Sequence, residues 1–181
     1  MARRLFKRFV HYSDSLLKTR IVRFLGPWIQ HPNLWHLNKR SVAGGIAVGL
    51  ATGLVPGPLQ MLAATILAAV FRVNLPLALV TTFYTNPFTI VPLYLLAYSL
   101  GGLVTGESIK NVTVPDFEWG LSTLYDNVVT FIDWMLSLGN TLIIGLLIEV
   151  ILFAAAGYII VRLGWRGYVI YEWRKRQEQR K

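Results

Sequence analysis

"SVAGGIAVGLATGLVPGPLQMLAATILAAVF", residues 41–71, contains no charged side chain. As a single helix it would run about 46 Å, against a hydrocarbon core of about 30 Å. Its own residues argue against a single helix. Pro56 and Pro58 flank Gly57, and two prolines around a glycine break the run into arms of about fourteen residues each. Neither arm is long enough to cross a bilayer alone. The stretch therefore reads as a re-entrant hairpin that enters and leaves on one side. A tilted, kinked single span is the alternative.

The first arm carries Gly45, Gly49 and Gly53 at intervals of four, with Ala43, Ala47 and Ala51 beside them. Small residues at that spacing let helix backbones approach closely in lipid. They suit packing against another helix of the chain, or against a second copy in a homo-oligomer. The sequence leaves both open.

Residues 75–101 form a second uncharged run. It is interrupted by "TNPFT", Thr85 to Thr89. Asn86 suits a helix N-cap, and Pro87 suits the first helical position, where a missing N–H costs nothing. The segment reads as a broken span. Residues 102–139 are polar and acidic, with five acids and one lysine. Within them Phe117, Leu121, Leu124, Val128, Phe131, Ile132 and Met135 make a helical stripe, as expected of an amphipathic helix at the membrane surface or over the bundle. Residues 140–162 are long and apolar enough for a full span.

Positive charge is concentrated at the ends. Residues 1–40 hold nine Lys/Arg and one Asp, and residues 163–181 are again basic. The chain is 54% hydrophobic, only 15% charged, and has a mean hydropathy of +0.49. Soluble domains average about 25% charged residues. The basic ends thus read as membrane-surface and topology signals, with anionic lipids as partners, not as a nucleic-acid patch. Residues 3–25 alternate basic and apolar positions, as in an interfacial helix. Residues 1–40 form a basic interfacial segment, 41–162 the membrane domain and 163–181 a basic tail. No apolar stretch of sufficient length follows "MARRLFKRFV", so no cleavable signal peptide is expected. Both basic ends belong on the cytoplasmic side. That requires an odd number of crossings before residue 102, which a 41–71 hairpin and a broken 75–101 span supply.

Both proline breaks expose helix N-termini, whose free N–H groups and partial positive charge attract anions. Gly57, Pro58, Asn86 and Pro87 would shape such a site. Gln60, Thr85 and Thr89 would add hydrogen bonds. Irregular backbone at membrane depth must face protein or a wet cavity, so the competing reading is two kinks whose polar groups satisfy one another. Glu149 sits near the middle of the last span. An ionised group there costs roughly 2.5–3.5 kcal/mol on insertion scales and marks function by default. It would couple a proton, or else make a hydrogen bond that holds the helices together. Arg72, alone between the uncharged runs, reads as an interface anchor.

There is no cysteine, and His11, His31 and His36 all precede the first apolar run. No metal site, cofactor or catalytic set is expected, so the chain reads as a non-enzyme.

The ordered motifs "P-x-P-x-Q", "R-x-N-x-P" and "T-N-P-x-T", together with the later "GLLIEVILFAAAGY", resemble the bacterial membrane family called domain of unknown function 2062. The resemblance covers roughly residues 34–162. It implies an integral protein of the bacterial inner membrane and no settled activity. The expectation is an all-α, multi-pass transporter-like protein. It would recognise an anionic or polar-headed substrate, a lipid phosphate among them, at the helix breaks. A non-transporting scaffold or assembly factor is the alternative.

Overall fold

The computed structural model describes residues 31–57, 59–116 and 123–179. The interfacial helix expected over residues 3–25, Pro58, and Phe117 and Leu121 of the apolar stripe lie outside the described residues. Every regular element among the described residues is helical. The α-helices are α1 (Lys39–Gly53), α2 (Leu59–Phe71), α3 (Leu75–Thr82), α4 (Ile90–Thr105), α5 (Leu124–Ser137) and α6 (Gly139–Glu178). Short 3-10 turns lie at Pro32–Leu34 and Ile109–Asn111. The chain divides into two units: one runs to Tyr84 and resumes at Phe153, and the other is Thr85–Leu152.

In the first unit α1, α2 and α3 pack on one another. Asn38 starts α1: its side chain accepts from the N–H groups of Arg40 at 3.1 Å and Ser41 at 2.9 Å. A Cβ on Gly45 would come within 2.5 Å of the Asn74 carbonyl oxygen. One on Gly49 would strike the Ala78 carbonyl, and one on Gly53 the Tyr84 ring. The glycine row thus lies against α3 and the chain on either side of it. Asn74 is fully buried. Its N–H donates to the Ser41 carbonyl at 3.1 Å, and its side chain accepts from the Leu77 N–H at 3.0 Å, capping α3. Leu34, Trp35, Val48, Ala68, Val73 and Ala78 belong to the core around this junction.

At the end of α2, Val73 N–H donates to the Ala68 carbonyl at 3.0 Å and Arg72 N–H to the Ala69 carbonyl at 3.3 Å. This is a Schellman stop, with Arg72 in the left-handed position at φ 53°. Glycine usually takes that place, because a Cβ there costs roughly 1–2 kcal/mol. Arg72→Gly is therefore expected to be neutral to about 1 kcal/mol stabilising once glycine's greater unfolded-state freedom is offset. A thermal-unfolding comparison of the purified proteins checks this, and a clear loss of stability would show that the arginine side chain itself holds the junction.

In the second unit α4 and the first part of α6 are held by glycines. A Cβ on Gly101 would collide with the Thr141 carbonyl, and one on Gly145 with the Ala97 carbonyl. The hydroxyl of Thr141 donates to that of Thr105 at 3.1 Å. Helix α5 covers α4 with Phe131 and Trp134, joined by its C-cap residue Leu138. The Trp134 indole N–H donates to the Thr113 carbonyl at 3.0 Å, and Tyr94 meets Phe131 edge-on at 5.4 Å. The Leu124 side chain likewise lies outside the described residues, and the other members of the expected stripe separate. Phe131 and Met135 pack inward, whereas Val128 and Ile132 are exposed.

Helix α6 is long and apolar enough to cross a membrane, and only 17% of its most apolar stretch is buried within the chain. That distinguishes it from the core helix of a soluble domain. It does not end at residue 162 but continues to Glu178. The tail lacks proline, and its Arg, Lys, Glu and Gln are good helix formers. The sequence boundary marked the end of apolarity, not the end of the helix. At about 22 Å and 20 Å, α1 and α2 are each shorter than the hydrocarbon core. α2 nevertheless exposes Leu59, Leu62, Ile66 and Val70, an unpartnered apolar row of the kind that marks an interaction surface.

Candidate functional site

Glu149 is the chemical centre of the second unit. It is 0% exposed, and among the described residues neither carboxyl oxygen has a hydrogen-bond partner. Its position follows from the glycine seam. Thr141 lies against Gly101 and Gly145 against Ala97, so the helices run antiparallel. One further turn along α6 brings Glu149 level with the first turns of α4. Tyr94, in those first turns of α4, is also fully buried. A carboxyl buried without a partner costs more than an ordinary buried polar group, and no bond seen here repays it.

The TNPFT break lies just before α4. Asn86 Oδ1 accepts from the N–H groups of Phe88 at 2.9 Å and Thr89 at 3.2 Å. In return the Thr89 hydroxyl accepts from the Asn86 N–H at 3.0 Å. This is a capping box with threonine in the place of the usual Glu or Gln. The regular helix begins at Ile90, whose N–H donates to the Asn86 carbonyl at 2.9 Å. Asn86 therefore caps a turn through Pro87 and Phe88 that leads into α4. The N–H groups that would attract an anion are largely engaged by these contacts. Thr85 is buried, whereas Asn86 and Pro87 are exposed. Replacing Asn86 by Ala removes the cap and is expected to destabilise the protein by about 1 kcal/mol. A matched Thr89→Val variant and the double variant should be less than additive, as read from unfolding midpoints; full additivity would mean that the two side chains do not act together.

The other predicted residues belong to the first unit. Gly57 is exposed with φ 70°, which fits a turn open only to glycine at low cost. Gln60 N–H donates to the Gly57 carbonyl at 3.3 Å, opening α2. Arg72 is exposed at the far end of that helix.

Sequence reading missed two features. One is Asn74, whose buried cap was signalled by the "N-x-P" that precedes α3. The other is a polar cavity of about 490 Å³ lined by Tyr98, Glu107, Thr113, Trp134, Asn140 and Thr141. There Tyr98 donates a short 2.5 Å hydrogen bond to Glu107. Its wall is assembled from segments far apart in sequence, so no local motif announces it.

The model of a family described as "Uncharacterized protein conserved in bacteria (DUF2062)" matches residues 22–174. No curated protein matches the chain. No solved structure matches it.

Proposed function

The chain belongs to the bacterial DUF2062 family, and from that premise we propose a small, multi-pass, transporter-like protein of the inner membrane. Helices α1 and α2 form a re-entrant hairpin, α3 and α4 a broken span, and α6 a full span. Both basic ends lie on the cytoplasmic side. The substrate is anionic or polar-headed, with a lipid phosphate as the favoured chemistry, and Glu149 carries a coupling proton. The observation behind this reading is the fully buried Glu149 carboxyl without a hydrogen-bond partner. An acid kept only to fasten helices would be expected to make the fastening bond.

A second reading, a scaffold or assembly factor that moves nothing, is favoured by one observation. Asn86 and Thr89 of TNPFT are turned on one another in a capping box.

Purified protein in liposomes separates the two. The probe is a head-labelled phosphatidylglycerol whose transbilayer movement is followed by quenching from outside, with and without a pH gradient. Transport predicts movement that responds to the gradient and falls at least about tenfold in Glu149→Gln, a loss of about 1.4 kcal/mol in transition-state stabilisation. Equal movement in wild type, variant and protein-free vesicles favours the scaffold.

A further inference from the structure

A groove of about 370 Å³ runs along the first unit between α1, α2 and α6. Its volume is within the range of about 300–1,000 Å³ typical of small-molecule sites. The floor is made of small residues, among them Gly44, Ala47 and Ala51 of α1 and Ala154 of α6. Leu67 and Phe71 of α2 form the opposite wall. From Arg40 to Ala51 the groove follows about 16 Å of helix. Gly157 of α6 meets Ile46 and Leu50 of α1, so the floor is fixed by direct helix contact.

One end of this apolar groove is basic. Arg40 lines it, and beside it stands Tyr158, whose hydroxyl accepts from Arg162 Nη1 at 2.9 Å. The Arg162 guanidinium also lies 5.5 Å from the Tyr158 ring centroid. Lys39 and Arg40 occupy the first turn of α1, where a helix's partial positive charge disfavours cations. Val73, which follows Arg72, lines the groove and rests on Gly44. No acid occurs anywhere in residues 31–84. Arg40 thus lines the mouth against its own helix dipole, and Arg162 reaches the groove wall through Tyr158.

We propose that this groove holds an anionic phospholipid, with one acyl chain along the small-residue floor and the phosphate at the mouth between Arg40 and Arg162. Charge complementarity selects the occupant. A zwitterionic lipid brings its own cation to a mouth that already presents Arg40, and a free phosphate leaves the apolar floor empty. The proposal does not depend on the transport reading.

Native mass spectrometry of the full chain in mild detergent tests this, with phosphatidylglycerol, phosphatidylcholine of the same acyl chains, and inorganic phosphate as probes. The expected result is one retained phosphatidylglycerol in preference to phosphatidylcholine, not displaced by inorganic phosphate. Arg40→Gln should weaken retention about tenfold, as expected for losing a charge-assisted bond, with recovery in Arg40→Lys. Ala51→Phe should fill the floor and abolish retention. Arg40 is exposed, so its variants decide the matter if Ala51→Phe does not fold. Equal retention of the two lipids, no effect of Arg40→Gln, or a second copy of the chain seated where Ala51→Phe disrupts it, would overturn the proposal.

Discussion

Alanine at Gly145 is expected to destabilise the protein by about 3 kcal/mol, the upper part of the range for overpacking. The added Cβ would meet the Ala97 carbonyl and lie 3.0 Å from the Gly101 nitrogen. These are backbone atoms, so no side chain can rotate out of the way. Helices α4 and α6 would have to separate, which also lengthens the Thr141–Thr105 hydrogen bond. Gly101→Ala meets the reciprocal obstacle at the Thr141 carbonyl and should cost about as much, with the double variant less than additive because the two share one seam. Gly164 supplies the control. It lies in the same helix with open space around it, so alanine there should be neutral or add up to about 1 kcal/mol. Thermal unfolding in detergent reads all three. A Gly145→Ala protein as stable as Gly164→Ala would mean that the seam is not close-packed.

The second large effect has the opposite sign. Glu149→Met is expected to raise stability by about 1–3 kcal/mol, since it removes a buried acid that has no partner and replaces it with a flexible apolar chain of similar length. The same substitution should abolish gradient-dependent lipid movement in liposomes. The combination is informative because the two readouts move apart. A carboxyl that fastens helices would lose stability and function together. Natural proteins tolerate such local costs mainly where activity requires them. Destabilisation by Glu149→Met, measured beside a neutral Glu149→Gln, would assign the residue to the fold.

Much of the architecture is written in local chemistry. The absence of charge over residues 41–71 and 75–101, with prolines at 56, 58 and 87, marks apolar helices and the places where they stop. Helix stops that use no glycine or proline are harder to read. Arg72 ends α2 in a left-handed conformation, and the signal lies in the apolar Val73 that follows it and packs back on the core. The Asn86–Thr89 box was legible as a cap but not as a closed pair, since Thr89 is not the Glu or Gln that usually completes one. The seam between α4 and α6 was not legible. Gly101 and Gly145 meet only because the chain returns through α5, and neither belongs to a spaced row like that of α1. Glu149 was visible as an acid in an apolar run. That it is unpartnered depends on which residues surround it, and sequence spacing carries no such information.

The α5 helix shows the same limit from another side. Its apolar residues share a periodicity, yet Trp134 and Leu138 are buried while Tyr125, Val128, Ile132 and Leu136 are exposed. A helix apolar on two sides has two partners. One is α4, and the exposed side fits the lipid surface proposed for this protein.

The central claim is that Glu149, sealed within the second unit, is reached by water and substrate when the protein works. The chain has no cysteine, so Glu149→Cys introduces a single thiol whose labelling by a membrane-impermeant maleimide can be followed in intact cells. Ala97→Cys, buried in the same seam, serves as the reference. The account predicts that position 149 is labelled while position 97 is not. Equal protection of both positions would contradict it and leave Glu149 a buried acid within a static bundle.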